Sequence, residues 1–222
     1  MVTFLRVSAL EQNLQEVAGD VVDMLSLVRE STLLAKRSLI HGDPAAADEC
    51  AENDKRIDEV QDRLEIEILT VIARRQPAAR DLRFLGAMHR TLADVERAGD
   101  YAKHVAQAGA ELAGQPRLKK YIDIERILNI LIAMIDATVK ALAEADARLA
   151  RDAHSMDDEI DELYEQIQRE LLTFMMEDPK TITAAIKLLN VARYLERMGD
   201  HFENVNEHIV FWLTGERLQP VR

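Results

Sequence analysis

From residue 85 to residue 102, the apolar and small residues Leu85, Met88, Leu92, Val95, Gly99 and Ala102 stand alternately three and four positions apart. That spacing follows a helix of about 3.6 residues per turn and writes one continuous core-facing stripe. The same period runs through nearly the whole chain, and few residues break it. They are His41-Gly42-Asp43-Pro44, Gln76-Pro77, Gly114-Gln115-Pro116 and Glu177-Asp178-Pro179, with a weaker, charge-dense break from Ala150 to Asp152. These breaks predict six helices, over 4–40, 45–75, 78–112, 118–150, 153–177 and 180–214, and an all-α fold. The stretch Ile127 to Ile135 is apolar around most of its circumference, which predicts a central bundle helix, or one packed between bundles or at a dimer contact.

The polar positions show that the chain is a duplicated unit. Glu96-Arg97-Ala98-Gly99-Asp100 returns as Glu196-Arg197-Met198-Gly199-Asp200, and each copy has an acidic partner upstream, Asp54 with Asp58 and Asp157 with Asp161. Matching the first three helices to the last three gives two three-helix bundles in tandem, 1–114 and 115–222.

On a helix, residues four apart share a face about 5–6 Å apart, so each motif stacks two carboxylates one turn apart. Helices joined by short turns pack antiparallel, and residues equidistant from the turn come level. About the turn at Pro77, Asp58 then faces Glu96 and Asp54 faces Asp100. About the turn near Pro179, Asp161 faces Glu196 and Asp157 faces Asp200. Two squares of carboxylates result, each unfavourable without a counterion and each suited to a hard, oxygen-seeking cation. The expected metal ligands are Asp54, Asp58, Glu96 and Asp100 in one site and Asp157, Asp161, Glu196 and Asp200 in the other. The donor set selects a class of ion, with iron, zinc, manganese and magnesium all eligible.

One turn beyond each motif, His104 and Asn204 are optional additional ligands, and His89, His201 and Glu207 are weaker ones. Gly99 and Gly199 cost ~1 kcal/mol each relative to Ala in a helix. Their place beside the motif aspartates implies close backbone approach at a crowded site, or a tight helix crossing.

Composition narrows the function classes. With 222 residues, 48% of them hydrophobic, the chain can bury a substantial core. A net charge of −12 argues against nonspecific nucleic-acid binding, which needs clustered Lys and Arg. The single cysteine, Cys50, excludes an internal disulfide and a Cys-rich zinc site and reads as a small buried residue. The N-terminus lacks a signal-peptide core, and the longest apolar run is too short to span a bilayer. A cytoplasmic protein that meets a membrane only indirectly, through partners, is expected. No Gly-rich phosphate loop is present, so direct phosphate sensing finds no support.

Several segments together resemble the PhoU family of regulators of phosphate uptake. They are Gln76-Pro77-Ala78-Ala79-Arg80-Asp81-Leu82-Arg83, Asp94-Val95-Glu96-Arg97-Ala98-Gly99-Asp100-Tyr101-Ala102, Leu195-Glu196-Arg197-Met198-Gly199-Asp200-His201, Asn204-Val205-Asn206-Glu207-His208 and Thr214-Gly215-Glu216. The resemblance implies two three-helix bundles with metal clusters at the eight acids named above. It also implies a non-enzymatic regulator that restrains the phosphate-starvation response, linking the phosphate ABC transporter to a sensor histidine kinase. His104 departs from the family, which has Asn at that position. A homodimer is expected, and Arg74, Arg75, Arg80 and Arg83 at the first hairpin tip are expected to dock an acidic partner.

Two other classes compete. A carboxylate-bridged metalloenzyme, such as a metal-assisted hydrolase, would also use clustered acids. A ferritin-like oxidase is disfavoured because no Glu-x-x-His occurs: Ser38, Gly86, Tyr101, Arg151, Met198 and Val205 stand three before the six histidines. A metal-free helical adaptor would use the acids for solvation alone.

Overall fold

The computed structural model describes residues 8–218, which form an all-α fold. Helix α1 spans Ala9–His41, α2 Ala45–Arg75, α3 Ala79–Leu112, α4 Ile122–Glu144, α5 Ala147–His154, α6 Asp157–Glu177 and α7 Ile182–Thr214. A short 3-10 turn, Pro179–Thr181, leads into α7.

The first helix begins later than its hydrophobic pattern predicts, because Ser8 caps it. Ser8 Oγ accepts from the Glu11 amide at 3.1 Å, and Glu11 Oε2 accepts from the Ser8 amide at 2.8 Å, a reciprocal capping box. Residues 4–7 of the expected helix lie outside the described residues. Gly42, at φ +71°, closes α1 in the left-handed conformation.

The expected fourth helix over 118–150 is shorter at both ends, and a separate helix follows it. Its first turn starts at Ile122, and Ala145 ends it at φ +49°. Asp146 then caps α5, its carboxylate accepting from the amides of Arg148 at 2.7 Å and Leu149 at 3.4 Å. A turn at Ser155 and Met156 separates α5 from α6, so the single break expected near 150–152 is two breaks that flank it.

Helices α1, α2 and α3 pack on one another; in the second half α4 and α7 pack on each other and on both α5 and α6, with α2 and α6 on the flanks. The halves meet along two seams, α1 against α4 and α3 against α7. Both seams run antiparallel. Arg29 pairs with Asp136 at 2.6 Å, and seven residues on, Lys36 meets Asn129 at 2.8 Å, seven residues back. Along the other seam Asp94 meets His201, and Tyr101 stacks on Tyr194 with ring centroids 5.8 Å apart.

One continuous apolar cluster runs through both halves. Ile127, Leu128, Leu131, Met134 and Ile135 are fully buried in it, so the apolar stretch of α4 is spent inside the chain. Cys50 is buried too, and burial pushes its thiol up to about 11.

Candidate metal centre

Each half presents its acids from two helices that pack side by side, α2 and α3 in the first, α6 and α7 in the second. The helical period turns Asp54 and Asp58 toward Glu96 and Asp100, and Asp157 and Asp161 toward Glu196 and Asp200. Burial and crowding raise several of these acids above their ordinary values. Burial raises Asp58, and Asp54 and Asp100 add to it; burial raises Glu96, with Asp100 and Asp58 adding. Burial and then Asp200 likewise raise Asp161 and Glu196.

The second cluster is the deeper. Asp157 is 5% exposed, and burial, followed by Asp161, Glu203, Asp200 and Glu196, pushes it up to about 8. Oxygens of Asp157, Asp200 and Glu203 lie within 4.8 Å of one another. Asp157 Oδ1 is buried without a hydrogen-bond partner, a costly state that a cation would relieve; Glu196 Oε2 also lacks a hydrogen bond but has the Arg197 guanidinium 3.5 Å away. Gly199 makes this seat possible: a Cβ on residue 199 would stand 2.0 Å from Asp157 Oδ1. Arg197 borders the cluster, 3.1 Å from Asp200 and 3.5 Å from Glu196. His154, at the end of α5, lies 3.3 Å from Glu203 and 3.7 Å from Glu207.

In the first cluster Lys103 Nζ bridges Asp54 at 2.5 Å and Asp100 at 2.6 Å. These two hydrogen bonds raise the lysine's pKa against the opposing effect of burial. The atoms nearest a Cβ on Gly99 belong to Ile57, at 2.9 Å, and to Val28. So one motif glycine serves a carboxylate and the other a helix crossing.

His104 and Asn204 are placed elsewhere. The His104 ring stacks on Tyr194 at 5.2 Å, and Asn204 Nδ2 donates to Asp94 at 3.3 Å. Four residues advance a helix by about one-tenth of a turn beyond a full one, and that step carries both side chains into the α3–α7 seam. His201 faces the same seam. Asp94 accepts from His201 Nδ1 at 2.9 Å and His208 Nε2 at 3.1 Å, and although burial opposes it, these bonds hold Asp94 at about 2.

Two of the four hairpin-tip arginines lie against Trp212 of α7, Arg83 half-buried and Arg80 still exposed. Arg83 lies 3.5 Å from the Trp212 carbonyl, and the Arg80 guanidinium sits 5.9 Å from the Trp212 ring centroid. Arg75 donates to Asn13 at 3.1 Å.

Lys103, Glu203, His154 and Asp94 carry much of this geometry, and motif spacing did not single them out. Aligning the two repeats finds the first two, since both stand three residues after the motif aspartate with opposite charge.

The fold and the sites thus define an all-helical protein with a duplicated acidic motif on paired helices. The PhoU domain family model matches residues 21–109 and 124–209, and the chain belongs to the PhoU family, which acts in phosphate transport regulation. It is 45% identical over 209 residues to a protein of Deinococcus radiodurans named phosphate-specific transport system accessory protein PhoU homolog, covering 94% of this chain and 98% of that one. A protein of the same name from Aquifex aeolicus is 36% identical, over 92% of this chain and 93% of that one. The crystal structure of PhoU from Pseudomonas aeruginosa superposes with a TM-score of 0.88 at 32% identity, covering 92% of this chain and 99% of that one. Among the described residues, no helix is long and apolar enough to cross a membrane.

Proposed function

We propose that this chain is a cytoplasmic, non-enzymatic, metal-binding regulator of phosphate uptake. It associates with the phosphate ABC transporter and restrains the phosphate-starvation response through a sensor histidine kinase, acting as a homodimer in which each chain is built of two duplicated bundles, 1–114 and 115–222. Family membership supports the regulatory part, and the transport system in the names of its relatives supports the partner.

The observation that carries metal binding is Asp157 Oδ1, buried and unpartnered beside Asp200 and Glu203. Asp157, Asp200 and Glu203 would hold the ion, with Asp161 and Glu196 adjoining. An all-oxygen set fits iron, manganese or magnesium, and zinc accepts it as well. The bound ion would supply positive charge that neutralises these acids. The chain's own residues do the rest. Gly199 admits the Asp157 carboxylate against the α7 backbone, and His154 steadies Glu203, so that the ends of α5 and α6 are fixed on α7. A partner that reads this half then meets one rigid surface.

The test is complementation of a bacterium lacking its own regulator and carrying a phosphate-starvation reporter. In phosphate-rich medium the parent chain lowers the reporter, and folded Asp157→Asn/Asp200→Asn does not. Repression by the double variant would remove metal from the mechanism, and no repression by the parent would remove the regulatory reading.

A further inference from the structure

The duplication that repeats the acidic motif does not repeat its charge. Three residues after the motif aspartate, the first half has Lys103 and the second has Glu203. Three residues before the upstream aspartate, the first half has Ala51 and the second has His154. The first pair of positions places opposite charges at the centres of two otherwise matched sites.

In the first site the Lys103 ammonium lies between Asp54 and Asp100, the two acids that face each other across α2 and α3, within 2.6 Å of both. Its side chain is 21% exposed and that of Asp54 12%, so the bond to Asp54 is largely sheltered from water, while Asp100, 42% exposed, holds the ammonium from the solvent side. An ammonium has three N–H donors and offers both carboxylates a proton and a positive charge. A metal ion bound by the same two oxygens would need the same space, and it would repel the lysine.

The second site is the reverse. Glu203 adds an oxygen within 4.8 Å of those of Asp157 and Asp200, and Asp157 Oδ1 has no partner although it is buried. The neighbouring cation, Arg197, contacts Asp200 and Glu196 from a side chain that is 46% exposed, and it leaves Asp157 untouched. His154 contacts Glu203 from the side of Glu207.

We propose that the two sites differ in kind: the second is the metal site, and in the first the ammonium of Lys103 takes the place of the ion. Each chain therefore holds metal in its second half only. This rests on the metal-binding reading above. It also gives the two halves different tasks, since the first is held closed whatever the metal supply and only the second responds to it.

The experiment is metal content per chain. Full-length protein is stripped with chelator, loaded with manganese, desalted and measured by elemental analysis, with circular dichroism confirming that each variant is folded. The parent retains manganese, Asp54→Asn/Asp100→Asn retains as much, and Asp157→Asn/Asp200→Asn retains none. Lys103→Gln frees the first site and about doubles the parent's content, whereas Lys103→Arg, which keeps the charge, leaves it unchanged. Loss of manganese in the first-site variant, or its retention in the second-site variant, would overturn the proposal while leaving metal binding intact. No gain in Lys103→Gln would overturn the role of the lysine. No manganese in the parent or in Lys103→Gln would instead overturn metal binding itself, and the proposal with it.

Discussion

Gly199 and Asp157 are in close contact: the aspartate's Oδ1 occupies space that any side chain at residue 199 would need, 2.0 Å from where a Cβ would stand. Gly199→Ala therefore forces the carboxylate out of its seat. Overpacking of this kind costs about 1–3 kcal/mol, against a gain of ~1 kcal/mol in helix propensity. Gly99→Ala meets the end of the buried Ile57 side chain at 2.9 Å, with Val28 at an ordinary 3.6 Å, so one side-chain tip rather than a carboxylate has to shift. Thermal unfolding is expected to show a lower Tm for Gly199→Ala and little change for Gly99→Ala. Manganese should raise the Tm of the parent and of Gly99→Ala alike, and of Gly199→Ala less.

A third glycine marks a crossing of α1 and α3. A Cβ on Gly109 would stand 2.6 Å from Ser38 Oγ and 2.7 Å from the Leu39 backbone nitrogen, which cannot rotate away. Gly109→Ala should lower the Tm by several degrees, since a chain of this size loses about 2–4 °C per kcal/mol. An unchanged Tm would mean that the crossing is looser than described.

The raised pKa of Asp157 gives metal-free protein a pH dependence with a definite sign. Burial and the surrounding acids push this group from 3.8 up to about 8 in the folded chain. The folded state thus holds a proton that the unfolded state has released, and stability falls as pH rises from about 4 toward about 8, by at most about 1.4 kcal/mol per unit. In chelator, Tm should decline over that range, and Asp157→Asn should flatten the decline. Manganese should do the same for the parent, because an ion replaces the proton.

Asp94 ties the halves together by accepting from His201 and His208, both carried by α7. Asp94→Ala leaves two partly buried imidazoles without their acceptor, at a cost of about 1–3 kcal/mol. Hydrogen exchange should quicken in α3 and α7 more than in α2 and α6, which lie on the flanks. Uniform exchange would argue that the apolar cluster alone holds the seam.

The sequence displayed the helices and the facing of the acidic motifs because both follow from a short period, but not Glu203, which joins Asp157 and Asp200 in the one compact carboxylate group among the described residues. Leu85 through Ala102 spell the core stripe of α3, and the antiparallel hairpin brings Asp54 level with Asp100. Less legible were features set by packing between distant segments. The break at Ala145 carries no glycine or proline, and only the Asp146 cap betrays it. His104 and Asn204 share a motif face with the acids, yet α7 and α3 claim them, because nothing in the local pattern gives the register of the seam. The two motif glycines look alike in sequence and differ in what they make room for.

The most direct test of the account is an anomalous difference map from crystals of the full chain grown with manganese. A peak ligated by Asp157, Asp200 and Glu203 is expected, and none between Asp54 and Asp100, where Lys103 sits. A map without a peak at the second cluster, in crystals of folded protein soaked at saturating manganese, would contradict it.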